Sequence, residues 1–166
     1  MCIKGEFCGI GVVVAPQLAM LVTGVQFSYA ALMDTNDKGD LALFKVILRA
    51  SQKGYIISKP LNDSARYDLV IDVDGVLKKA QVKYGDGKST NANGVIRVGL
   101  EKRYGNSTLV YTDKDVDLLL VYMPTTDTIC AFSPDLFAGK KNLYIRYQPA
   151  KNKQSRNCIF AADYLW

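Results

Sequence analysis

Asp68 and the triplet Gln81-Val82-Lys83 combine a carboxylate, an amide and an amine on two segments that one turn folds together. Asp74-Gly75 separates two runs of β-formers, Tyr67–Val73 and Val76–Tyr84, and that dipeptide between such runs predicts a two-residue hairpin. With Asp74 and Gly75 as the loop, Val73 faces Val76 and Asp68 faces Gln81. Lys83 shares their face because side chains alternate along a strand. Leu69, Ile71, Val73, Val76, Ala80 and Val82 fall on the other face, with Lys78 the exception, and read as core.

The chemistry open to such a group is metal-assisted phosphodiester hydrolysis. That reaction needs an ion to acidify water and offset charge on the phosphate, ligands to hold the ion, and a nearby cation. Magnesium takes oxygen ligands and keeps several waters. Asp68, the Gln81 amide oxygen and the Val82 backbone carbonyl are such ligands, and Asp40 can add a second carboxylate from a preceding helix. Lys83 is then the cation. Arg66 falls opposite Lys83 if the ladder extends that far, a pairing of like charges that an intervening phosphate would make favourable. The plainer alternative is a surface ion pair between Asp68 and Lys83 on an ordinary hairpin.

The rest of the composition narrows the field. The chain has no histidine, which excludes His-Asn-His nucleases, serine and cysteine triads that use histidine, and the usual zinc sites. Any general acid or base is therefore Asp, Glu, Lys, Tyr or a metal-bound water. The net charge of +5 lies wholly within residues 33–166, since residues 1–32 hold one Lys and one Glu. A basic balance favours a polyanionic partner. Cys2, Cys8, Cys130 and Cys158 have neither metal-ligand spacing nor the density of a disulfide scaffold, which suits a reducing cytoplasm.

The elements that must position the trio follow from patterning. A helix capped by Asn36 or Asp37 and stopped at Gly54 carries Phe44, Ile47, Leu48 and Ser51 on an inward stripe, with Asp40 one turn earlier on it. A strand at 55–59 and a turn at 60–64 lead to the hairpin. Residues 85–93 read as a polar loop, without the glycine and lysine spacing of a phosphate-binding P-loop. A strand at 95–100 continues the sheet, 101–115 is an irregular charged connection, and 117–122 is apolar enough for a central strand. Strands at 129–132 and 143–147 flank a short helix opening at Ser133-Pro134. The result is one α/β layered domain, a mixed and mostly antiparallel sheet flanked by helices. Residues 9–32 are apolar but interrupted by Pro16, Gln17 and Gln26. They are read as upstream coding sequence ahead of a true start at Met33, with a membrane anchor as the alternative.

Four runs in order, Lys38–Lys45, Ser64–Ile71, Ala80–Tyr84 and Asp117–Tyr122, resemble one family. The chain from Met33 to near its C-terminus is similar to the PD-(D/E)XK nucleases, specifically the homing endonucleases of bacterial group I introns in transfer RNA genes. The resemblance implies a restriction-endonuclease-like core and cleavage of both DNA strands by a homo-oligomer, dimer or tetramer. It also implies magnesium as cofactor, with manganese able to substitute. Asp68 corresponds to the metal-binding acid of the second strand, Lys83 to the catalytic lysine and Asp40 to the acid of the first helix. Gln81 stands where the broad superfamily has Asp or Glu, and the intron-encoded subgroup uses Gln there. Tyr67 replaces the motif's proline.

The expected partner is double-stranded DNA with a long recognition site. Arg66, Lys88, Arg97, Lys102, Arg103, Lys151 and Lys153 are the expected contacts, mostly to phosphates. A junction resolvase or restriction nuclease on the same fold, and a catalytically silent DNA-binding module, are the competing readings.

Overall fold

A computed structural model describes residues 33–62, 64–86, 94–104, 107–149 and 158–166, with main chain alone at 102–104 and 107. Helix α1 (Thr35–Gln52) opens with a reciprocal capping box: Asp37 N–H donates to the Asp34 carboxylate, and Asp34 N–H donates back to Asp37. The cap is therefore Asp34, two or three residues before the expected Asn36 or Asp37, because the residue three positions on from it is also acidic. Gly54 follows the helix with φ 76°, the left-handed conformation that ends a helix at little steric cost.

The inward face of α1 also differs from the expected stripe. Ala42, Val46 and Ala50 are buried, whereas Phe44 is 64% exposed and Leu48 56% exposed. Small residues let the helix approach the sheet closely, so Phe44 and Leu48 turn outward, while Ile47 of the expected stripe packs against the core with Leu41 and Leu43. Asp40, exposed, keeps its place in the first turns.

The main sheet has the order β1-β2-β3-β7-β8, built from Ile56–Ser58, Leu69–Val73, Val76–Tyr84, Leu118–Met123 and Thr128–Phe132. The β2–β3 hairpin has the expected register, from Val73 against Val76 to Leu69 against Ala80. Its turn uses Asp74 at φ 53° and Gly75 at φ 84°, both left-handed, which is why Asp-Gly reads so clearly. Val76 and Leu77 are exposed at the hairpin tip, so Val76 is not core. β3 runs parallel to β7, and the remaining neighbours are antiparallel.

Residues 95–100 do not continue this sheet as the patterning suggested. β4 (Val95–Gly99) pairs with β9 (Asn142–Arg146), and β9 pairs with β10 (Ile159–Phe160), in a second sheet. Nor is 101–115 wholly irregular: β5 (Glu101–Tyr104) and β6 (Ser107–Val110) form a hairpin. A short helix, α2 (Pro134–Phe137), follows Ser133 as expected, and a 3-10 helix covers Ala161–Tyr164.

Alternation along β7 divides the core in two. Leu120 and Tyr122 join Leu69, Ile71, Ala80, Val82 and the buried face of α1. Leu119, Val121 and Met123 join Ile96, Val98, Leu143 and Ile145 of the second sheet, together with Tyr111. β3 thus carries Ala80 and Val82 toward α1, and Gln81 and Lys83 toward the second sheet. No described helix is long and apolar enough to cross a membrane. The apolar stretch at 9–32 lies outside the described residues.

Candidate active site

Asp68 precedes β2 by one residue, and its backbone N–H donates to the Ala80 carbonyl at 2.9 Å. Its side chain closes on the residues after Ala80. Val82 N–H donates to Asp68 Oδ2 at 2.8 Å, and Gln81 Nε2 donates to the same oxygen. Gln81 Nε2 also reaches the Val82 carbonyl oxygen at 3.3 Å. Gln81 is 7% exposed, a buried polar side chain whose burial is offset by these bonds.

This arrangement tests whether the site suits a hard cation. An acceptor carboxylate and an acceptor carbonyl converge on one point, and the amide's NH2 end fills it because both neighbours accept. Turned over, the same amide would present Oε1 beside those two oxygens. An all-oxygen set with one formal negative charge matches what magnesium accepts when waters complete its shell. The donor set fits. Among the described residues no group of three or more acids, cysteines or histidines is placed to hold a metal, at this cleft or outside it.

Asp40, Asp68, Gln81 and Val82 line one cleft of about 500 Å³, together with residues of the first helical turns and of the 59–67 connection. Lys38 Nζ lies 3.8 Å from Asp86 Oδ2, a long ion pair between the start of α1 and the chain just past β3. A smaller cleft of about 350 Å³ is lined by Lys45, Arg49, Tyr122, Asp127 and Trp166, and contains none of the expected site residues. There Lys45 bonds Asp127 at 2.7 Å and Tyr122 OH donates to the same carboxylate at 2.8 Å. The Lys45 bond ties the β7–β8 turn to α1, and the Tyr122 bond ties the same turn to β7.

Lys83 faces the second sheet, with its Nζ 5.4 Å from the centroid of the Tyr111 ring. Tyr111 is 2% exposed, and its phenol is pushed up to about 12, chiefly by burial and then by the Asp68 carboxylate. Asp68 and Lys83 thus border the same aromatic ring on one side of the hairpin, as alternation required.

Arg66 does not stand opposite Lys83 across a phosphate gap. The ladder ends at Leu69, and the guanidinium turns to the 110–115 segment. Its Nη2 donates to the Val110 carbonyl at 2.9 Å, and its Nη1 lies 3.1 Å from Asp115 Oδ1. Burial works against the Asp115 charge. Bonds from the Thr112 hydroxyl and N–H, with Arg66 and Lys79 nearby, nonetheless hold its carboxyl below the ordinary range. The clasp is thus a stabilising contact. Arg66→Ala is expected to cost about 1–2 kcal/mol in chemical denaturation and to leave the salt dependence of DNA binding unchanged. Because the native pKa of Asp115 is depressed, its contribution is complete above the unfolded value of about 4 and is lost as pH falls through the native value. The stability gap between the two proteins should therefore narrow in acid.

Of the other basic residues, Arg97 is exposed on β4. Lys102 and Arg103 lie on β5 with no side-chain description, and Lys88, Lys151 and Lys153 lie outside the described residues. Patterning missed Tyr111 and the Arg66–Asp115 clasp. It also missed Asn142 and Tyr144, which alternate with Arg146 of the expected 140–156 basic region on the outer side of β9 beside Arg97.

The layered mixed sheet, with an acid entering its hairpin and a lysine on the next strand, defines a nuclease fold. The profile of the PD-(D/E)XK endonuclease family matches residues 33–166, and the chain belongs to that family. It is a DNA-cleaving hydrolase of the metal-dependent kind. The chain is also similar to a solved bacterial homing endonuclease, I-Ssp6803I, at 29% identity and a TM-score of 0.65. That likeness covers 80% of this chain and 89% of the other. A comparison with curated proteins finds no match.

Proposed function

We propose that the protein is a homing endonuclease that makes a double-strand break at an intronless transfer RNA gene. The reading is carried by the convergence of the Asp68 carboxylate, the Gln81 amide and the Val82 carbonyl on one point. It is supported by the likeness to a bacterial homing endonuclease.

Asp68, Gln81 and the Val82 carbonyl are the ligands that would hold the ion, with Asp40 offering a second carboxylate from the opposite wall of the cleft. Magnesium or manganese, when bound, supplies the charge that acidifies the attacking water and offsets charge on the phosphate. The remaining work falls to the protein. Asp68 is held rigid by the Val82 N–H, so its oxygens need no reorganisation on binding. Gln81 orients by turning its amide. The Lys83 ammonium would supply the positive charge that offsets developing negative charge on the phosphate.

Recognition is assigned to the outer side of the second sheet. Arg97 pairs across from Tyr144, and Val95 pairs across from Arg146. The antiparallel β4–β9 pair of this three-stranded sheet would face the major groove, where Arg97 would read base edges. Lys88, Lys102, Arg103, Lys151 and Lys153 would contact phosphates. DNA affinity in gel-shift titration is expected to fall by roughly three orders of magnitude between about 50 and 200 mM salt. A flat dependence would remove the basic residues from the interface.

One site per chain requires at least two chains for a double-strand break, so the active form is a homo-oligomer. Light scattering of the DNA-bound protein reports whether it is a dimer or a tetramer. Translation is proposed to start at Met33, and protein expressed from Met33 should cleave as the full chain does.

The deciding experiment is incubation with magnesium and DNA carrying an intronless transfer RNA gene, followed by mapping of the ends. A single double-strand break within that gene supports the reading. Cutting of four-way junctions without sequence preference would replace it with a resolvase, and binding without cleavage in magnesium or manganese would replace it with a silent module.

A further inference from the structure

We propose that Tyr111 is a positioning residue for Lys83, its ring forming the surface on which the ammonium rests on the second-sheet side of β3. The inference depends on Lys83 being the catalytic cation.

Lysine carries a compact charge on a flexible four-carbon stem, so position is what its environment must supply. Lys83 Nζ lies 5.4 Å from the Tyr111 ring centroid, within the range where the ring quadrupole attracts a cation. The ring itself is fixed. It belongs to the core cluster containing Leu119, Val121 and Val116. The Tyr111 carbonyl accepts from Gly139 N–H at 2.9 Å. Arg66 grips the chain on both sides of the tyrosine, at the Val110 carbonyl and at Asp115. Arg66 is two residues before Asp68, so the strut that fixes the ring is continuous with the segment that presents the acid.

Lys83 is held against the ring, its Nζ 5.4 Å from the centroid, and this contact does not call on the hydroxyl. Phenylalanine should therefore serve nearly as well as tyrosine, and an aliphatic residue should not.

The test uses the full chain with ε-carbon-labelled lysine, the Lys83 resonance being assigned by its loss in Lys83→Met. In the unmutated protein the Lys83 ε-methylene protons are expected upfield of the other lysines, shifted by the ring. Tyr111→Phe should keep the shift and cleave the transfer RNA gene DNA within about twofold of the parent rate. Tyr111→Leu should lose the shift and cleave roughly tenfold more slowly in single turnover, with unchanged metal-free DNA affinity. An unshifted Lys83 in the unmutated protein overturns the proposal, and this measurement stands even if the leucine variant folds poorly. A folded Tyr111→Leu protein cleaving at the parent rate also overturns it. Lys83→Met cleaving normally would overturn the assignment of Lys83 itself. An inactive Lys83→Met beside either of the first two failures would overturn the Tyr111 role alone.

Discussion

Asp68→Ala is expected to lower the single-turnover cleavage rate by about a thousandfold or more, while metal-free DNA affinity falls little. The asymmetry has a structural cause. Asp68 is the one formal charge among the oxygens that converge with Gln81, so its loss removes most of the attraction for a divalent ion. Those oxygens lie in the α1 cleft, whereas the proposed groove-reading side chains lie on the outer side of the second sheet. The substitution also removes the acceptor for Val82 N–H and for the Gln81 amide. Leaving a partly buried donor unpaired costs about 1–3 kcal/mol, so the variant should also unfold at lower denaturant. Gel shifts beside a denaturation curve separate the two effects. Normal metal-dependent cutting by a folded Asp68→Ala protein would remove Asp68 from the site.

Gln81→Glu should act in the opposite sense on metal binding. The Gln81 NH2 group stands between the Asp68 carboxylate and the Val82 carbonyl, donating to both. It takes the part of a cation there. Glutamate in its place sets a second carboxylate against the first and removes the donor, so the metal-free protein is strained by like charge. Its melting temperature in chelator is expected to fall by about 3–6 °C. Divalent metal relieves the repulsion, so the gain in melting temperature on adding manganese should exceed that of the parent. Calorimetry should show affinity tighter by about tenfold or more. The metal-free melting temperature carries the argument independently of activity. An unchanged value would mean that the amide is not bridging the two oxygens.

The expected results would together account for an amide at this position. A carboxylate pair would hold a metal more strongly but would repel without one. The amide would hold it less strongly while satisfying the same two oxygens by its own donors.

Much of the chemistry was legible in a short stretch of chain, and the reason is locality. The Asp74-Gly75 turn requires left-handed backbone at two successive residues, which few dipeptides tolerate, and it sets the register of everything it joins. Strand alternation then put Asp68, Gln81 and Lys83 on one side without reference to the rest of the molecule. The apolar density of Leu118–Met123 marked it as an interior strand, and it pairs on both edges. Local patterning failed where a choice depended on distant partners. The helix stripe was misjudged because Ala42 and Ala50 pack closely against β-strands whose shape is not written in the helix. Val95–Gly99 looked like one more strand of a single sheet, since nothing in its own residues says that its partner is Asn142–Arg146.

What the amino-acid order determined by itself was the hairpin, its register and the grouping of an acid, an amide and an amine. These follow from backbone sterics over fewer than about 20 residues. Only the tertiary structure decided what surrounds them. Arg66 closes on a carbonyl and a carboxylate more than 40 positions away. Tyr111 reaches Lys83 from a loop on another hairpin, and Asp40 meets the cleft from α1. Contacts at such separations are chosen by the packing of whole layers against one another, and no local preference of the residues involved encodes them.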